Sequence, residues 1–203
     1  MNIQLFIEIV GAIIGLVYLW LEYRASFWLW IVGIVMSVFY IYIYYYEKFY
    51  ADMGTYVYYL GANIYGLILW KRQGEQRAES GGIEDTDSMT TRSLPFRLIW
   101  PLAGIFVLAF LVLFLILSKR TDSPVPYGDA FTTALSIVAM WMMAKKYYQH
   151  WLLWVVVNIT STGLYFWKGL YPTAILFVFY TIGSVMGYFK WKSLEENMKE
   201  CSN

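Results

Sequence analysis

The stretches YVYYLGANIYGLILWK, residues 56–71, and FVFYTIGSVMGYFKWK, residues 177–192, decide the fold, because they are one pattern written twice at a spacing of 121 residues. Tyr59 meets Tyr180, Gly66 meets Gly187, and the closing Trp70-Lys71 meets Trp191-Lys192. The same offset runs back through the chain without a gap, setting Trp20 against Trp141, Trp30 against Trp151, Tyr44 against Tyr165 and Tyr50 against Tyr171. Charge keeps its place too, with Glu8 opposite Asp129 and Arg24 opposite Lys145. In a chain that is 21% aromatic some matches arise by chance, but an ungapped register that also keeps the span boundaries does not.

What is repeated belongs in a membrane. Of the 203 residues 60% are hydrophobic and 14% charged, against roughly 25% charged in soluble domains. Apolar stretches of about the 20 residues that cross a hydrocarbon core run at 4–23, 27–46, 51–70, 97–118, 128–144, 149–167 and 171–190. The first is too long and too aromatic for a cleaved signal and is expected to stay in the mature protein. A net charge of +1 points to no nucleic acid, and the lone Cys201 excludes disulfides. With His150 the single histidine, a zinc or di-iron site lacks ligands, so no cofactor and no enzyme is expected.

Residues 1–71 then form a first three-helix repeat, 72–96 a polar linker, 97–120 a joining helix, 121–192 the second repeat and 193–203 a tail. An odd connecting helix gives both repeats the same orientation. The expected fold is therefore all-α integral membrane: seven transmembrane helices as two parallel three-helix repeats joined by a linker helix, the 3+1+3 order of SWEET-type transporters. A retinal pump is excluded, since the last span holds no lysine for a Schiff base. Eleven basic residues fall on one side of the spans and Lys48, Lys119, Arg120 and Lys168 on the other, which predicts an outer N-terminus and a cytoplasmic C-terminus. The stretch 73–93, rich in Gly, Ser, Thr and charge, becomes a cytoplasmic linker.

The sixth span carries WLLWVVVN, residues 151–158. At about 100° per residue Trp151, Trp154 and Asn158 share one face. An unsatisfied amide in lipid costs several kcal/mol, so Asn158 faces the bundle, as interhelical glue or as a ligand contact. Trp151, near the cytoplasmic end, also suits an interfacial belt. Two indoles on the amide's face favour a flat or cationic guest, at about 0.5–2 kcal/mol per ring. Asn63 must face inward by the same cost, beside Gly61 and Gly66 or against substrate, and the mid-span hydroxyls of Tyr59 and Tyr180 need partners of their own. Trp154 and Asn158 fall opposite Gly33 and Ser37, so the scaffold repeats and these side chains do not, which assigns recognition to the second half. Glu8 and Asp129 read as helix-start acids or as an outward vestibule that attracts a cation, and Glu22 as an ion-pair partner of Arg24. The absence of a mid-span acid argues against proton coupling.

The pattern W-x-x-W-x-x-x-N within LSIVAMWMMAKKYYQHWLLWVVVN, together with Ala62-Asn63-Ile64-Tyr65-Gly66 in the third span, resembles the PnuC family of vitamin transporters. The resemblance spans all seven helices. It implies facilitative transport in the bacterial inner membrane, with a small cationic vitamin trapped inside by a cytoplasmic kinase. It also carries the family's substrate contacts onto Trp151, Trp154 and Asn158. Nicotinamide riboside members keep an asparagine and a glutamine where this chain has Met36 and Tyr56. A ribose would lose partners that a buried site must supply, whereas thiamine would lose less. YLWLEYRASFWLWIVGIVM also resembles the thiamine-type branch, so thiamine is the expected substrate and nicotinamide riboside the alternative. Met36, Tyr56, Asn63, Tyr59 and Tyr180 complete the expected contact set. A SWEET-like sugar carrier or a non-transporting membrane interaction protein is the competing class, but sugars need several amides and this interior offers mainly Asn63 and Asn158. The expected partners are the vitamin, the lipid bilayer and, as an alternative to a lone chain, further copies in a homo-oligomer.

Overall fold

The computed structural model describes the backbone of residues 3–46, 50–79, 91–120, 125–169 and 171–202. Lys48 and linker residues 80–90 lie outside the described residues, as do the side chains of Glu8, Tyr44, Tyr50 and Cys201. Each expected span is a helix: α1 (Ile3–Tyr23), α2 (Trp28–Tyr46), α3 (Tyr50–Glu79), α4 (Ile99–Arg120, after a 3-10 turn at Phe96–Leu98), α5 (Pro126–Ala144), α6 (His150–Trp167) and α7 (Tyr171–Ser202).

Two helices outlast their apolar runs, α3 to Glu79 and α7 to Ser202. The cause is the same in both. Lys71 pairs with Glu75 at 3.9 Å and Lys192 with Glu196 at 3.6 Å, each one turn apart. Exposed pairs of this kind add about 0.2–0.5 kcal/mol each, and the Lys, Arg, Gln and Glu around them are good helix formers. Apolarity marks where a helix crosses lipid, not where it stops.

The chain divides into two compact units, residues 1–89 and 90–203. In the first, α2 lies along α3 and α1 meets α2; in the second, α6 lies along α7, α5 on α6, and α4 on α5. The turn after α1 and the turn after α5 are built bond for bond alike. Ser26 N donates to Leu21 O and Ala25 N to Glu22 O, while Tyr147 N donates to Met142 O and Lys146 N to Met143 O. That is a Schellman cap, closed in both cases by a left-handed residue that is not glycine: Ala25 at φ 53° and Lys146 at φ 62°.

The second unit adds a strap. Arg92 N donates to Lys146 O at 2.8 Å and Tyr148 N to Arg92 O at 3.1 Å. Thr91 Oγ1 donates to Trp191 O at 2.8 Å, and Gln149 ties down Leu94 N and Ser93 Oγ. Residues 91–94 are thereby laced to the α5–α6 corner and to α7.

Helices α4 and α7 each keep a sorted face. On α7 Ala174, Ser184, Gly187, Trp191 and Glu195 are buried, while Ile175, Phe179, Ile182, Met186 and Phe189 are exposed. On α4 Val107, Leu108, Leu111, Val112, Leu115 and Ile116 are exposed. Apolar faces this continuous are stable in hydrocarbon, and helices satisfy their own backbone there.

Candidate substrate site

The expected face of α6 holds together, but its three residues differ in setting. Trp151 is fully buried, its ring seated on Gly187 where no Cβ could stand, edge-on to Trp191 at 6.0 Å and beside His150 at 4.9 Å. Its repeat partner Trp30 sits the same way on Gly66, edge-on to Trp70 at 5.2 Å. One turn along α6, Trp154 is half-buried, with an indole Nε1 that is buried and without a hydrogen-bond partner among the described residues.

One more turn brings Asn158, which is buried and donates Nδ2–H to Ser184 Oγ on α7 at 3.1 Å. Ser184 passes its own proton to Tyr180 O at 2.8 Å. A hydroxyl has one proton, so towards the amide Ser184 only accepts, and the amide's orientation follows from the network. The first unit has the same couple. Ser37 on α2 donates to Gly33 O at 2.7 Å, and Asn63 on α3 donates Nδ2–H to Ser37 Oγ at 3.5 Å and to Tyr59 O at 2.8 Å. Asn63 is buried, and its Oδ1 has no partner among the described residues.

At the offset of 121, Ser37 corresponds to Asn158 and Asn63 to Ser184. The amide is therefore duplicated, with amide and hydroxyl exchanged between the two helices, which revises the reading for Asn158 and leaves Trp154 without a repeat partner. Size explains the exchange. A Cβ on Gly33 would collide with the Asn63 amide, and the residue corresponding to Gly33 is Trp154. Where the tryptophan stands, the neighbouring helix carries a serine. Ser184 is absent from the expected contacts, and its signal in the sequence is the crossed Asn/Ser match at equal spacing with Ser37 and Asn63.

The remaining expected residues fall into one group per unit. In the first, Tyr56 packs against Tyr40 at 4.8 Å and Tyr59 at 5.7 Å, and half-buried Met36 precedes Tyr40 by one turn of α2. In the second, Tyr180 is half-buried against Phe177 at 5.5 Å. Glu22 is buried, whereas Arg24 is exposed with its guanidinium 5.1 Å from the centre of the Trp20 ring. Asp129 sits 3.7 Å from Lys168.

Seven apolar helices in 3+1+3 order, with amides, hydroxyls and indoles packed between the helices of each unit, have the architecture of a small-molecule carrier of the bilayer. The profile of the family described as "Nicotinamide mononucleotide transporter" matches residues 5–193, and the chain belongs to that family of integral membrane transporters, the PnuC family of vitamin transporters. The nicotinamide riboside transporter PnuC of Escherichia coli (strain K12) is 25% identical over 201 residues, covering 91% of this chain and 84% of that one. The riboflavin/roseoflavin transporter RibM of Streptomyces davaonensis is 25% identical over 189 residues, covering 91% and 83%. A crystal structure of the vitamin B3 transporter PnuC shares the fold, with a TM-score of 0.71 at 24% identity over 93% of this chain and 81% of that one.

Proposed function

We propose that the protein carries nicotinamide riboside across the membrane by facilitated diffusion. The observation that carries this reading is the fixed amide of Asn158, one turn from the unpartnered indole N–H of Trp154. Together they offer an acceptor and a donor beside an aromatic face, which suits a flat ring bearing a carboxamide. The nicotinamide riboside transporters among the relatives support the same substrate. Trp154 and Asn158 are the contacts we assign, with Trp151 bracing the face from behind and Tyr180 bordering it. In the first unit Asn63, whose Oδ1 packs against Gly33, holds α3 to α2, and Met36, Tyr56 and Tyr59 are the residues to which we assign selectivity. An outer N-terminus, on the basic-residue asymmetry, and no driving ion, on the absence of a mid-span acid, complete the reading, with trapping by a cytoplasmic kinase as the family resemblance implies.

Thiamine is the second reading, favoured by apolar Met36 and by the packing of Tyr56 into the Tyr40–Tyr59 aromatic group. Titration of tryptophan fluorescence in purified protein with nicotinamide riboside, thiamine and riboflavin separates them. Quenching by nicotinamide riboside at the lowest concentration is expected. Saturation by thiamine with no response to nicotinamide riboside would transfer the assignment, and silence to all three would overturn it. Substrate counterflow in proteoliposomes without an ion gradient tests facilitated diffusion.

A further inference from the structure

Resting on the nicotinamide riboside reading, we propose that Ser184 is a positioning residue that fixes the polarity of the Asn158 amide, so that the site accepts a carboxamide and rejects the corresponding carboxylate. The chain of donors runs one way. Ser184 Oγ–H donates to Tyr180 O at 2.8 Å, so its lone pairs are what it offers Asn158 Nδ2–H at 3.1 Å. A flipped amide would set Asn158 Oδ1 against those lone pairs, or draw the hydroxyl away from Tyr180 O. Ser184 is 1% exposed and Asn158 7% exposed, so water does not readily compensate such a clash.

With Nδ2 held, Oδ1 is the edge left for substrate. It accepts from the amide nitrogen of a pyridine carboxamide. The carboxylate of the acid analogue has no proton to give it and meets it with like partial charge in a buried setting. In the first unit Ser37 likewise donates its hydroxyl to Gly33 O and accepts from Asn63 Nδ2, which also donates to Tyr59 O, but there Oδ1 packs against Gly33. The serine–amide couple is thus built twice, and an edge left for substrate belongs to the second unit.

The test is a pair of ribosides that differ at one group. Binding of nicotinamide riboside and of nicotinic acid riboside is titrated against the full-length wild type, Ser184→Ala and Ser184→Thr, with thermal unfolding recorded for each. The wild type is expected to favour the amide by roughly tenfold or more, since unpaired buried polar groups penalise the wrong ligand. Ser184→Ala frees the amide to flip, so the ratio falls to roughly threefold or less, while Ser184→Thr, which keeps the hydroxyl, preserves it. A merely structural serine would weaken both ribosides equally. An unchanged ratio in Ser184→Ala overturns the inference, as does a wild type that binds both ribosides alike; the latter decides the matter even where Ser184→Ala does not fold. A wild type that binds neither riboside sinks the nicotinamide riboside reading itself, an outcome distinct from either.

Discussion

Ala25 and Lys146 stand 121 residues apart and hold the same left-handed backbone, φ 53° and 62°, at the same place in the same Schellman cap. Neither is glycine. For an L-residue that conformation costs about 1–2 kcal/mol, and both turns bear it because the cap satisfies the last carbonyls of α1 and α5.

At Ala25 the cost can be raised or removed. Ala25→Gly relieves the steric term but loses about 0.5–1 kcal/mol in backbone entropy, so its stability should lie within about 1 kcal/mol of wild type. Ala25→Val adds a β-branched side chain where φ is positive and the residue is 1% exposed, and should lose about 2 kcal/mol or more. Thermal unfolding in detergent reads both. Equal melting temperatures for the two variants would show that the turn does not constrain the fold.

Gly66 and Gly187 underlie the rings of Trp30 and Trp151. Gly66→Ala and Gly187→Ala should each destabilise by about 1–3 kcal/mol, since the displaced group is a rigid indole. Gly163→Ala is the control: it is helical, with nothing within 4 Å of an added Cβ, and should gain about 0.5–1 kcal/mol from helix propensity. The opposite signs separate crowding from a general intolerance of alanine.

The two tryptophans of the sixth helix should part company on mutation. Trp151→Ala opens a cavity beneath a fully buried ring and should cost about 3–5 kcal/mol of stability. Trp154→Ala, at a half-buried position, should leave unfolding nearly unchanged while weakening nicotinamide riboside about tenfold or more, from lost stacking and the lost indole donor. Trp154→Phe should recover part of that affinity. Intact binding in Trp154→Ala would return the residue to packing.

The number of helices and the repeat were legible because both are one-dimensional: apolar length counts spans, and an ungapped offset survives duplication. The offset proves true down to single hydrogen bonds, as the caps at Ala25 and Lys146 show. The limits of α3 and α7 were not legible from apolarity, because each helix continues into charged residues that are good helix formers and include the pairs Lys71–Glu75 and Lys192–Glu196. Nor was the duplicated amide. Position-by-position comparison sets Asn158 against Ser37 and finds a difference, whereas hydrogen bonding joins α2 to α3 and α6 to α7 and finds the same couple with its members exchanged. A serine's task as an amide's acceptor depends on where its single proton goes, and only the fold supplies that.

Met36 and Tyr56 carry the remaining question of substrate. Tyr56 is packed between Tyr40 and Tyr59, so replacing its ring by an amide removes two aromatic contacts, worth about 0.5–1.5 kcal/mol each beyond their area. Some stability must therefore be lost in Tyr56→Gln. What it adds is a donor and an acceptor at the position where the family resemblance implies glutamine, as Met36→Asn adds an amide one turn before Tyr40. If these positions select against ribose hydroxyls, Tyr56→Gln and the double variant Met36→Asn/Tyr56→Gln should raise affinity for nicotinamide riboside relative to thiamine, by about tenfold for a recovered buried hydrogen bond. Competition titrations of the two vitamins against each variant read the ratio directly. A ratio that stays put while melting temperature falls would assign Met36 and Tyr56 to packing, and would leave selectivity to the Trp154 and Asn158 face.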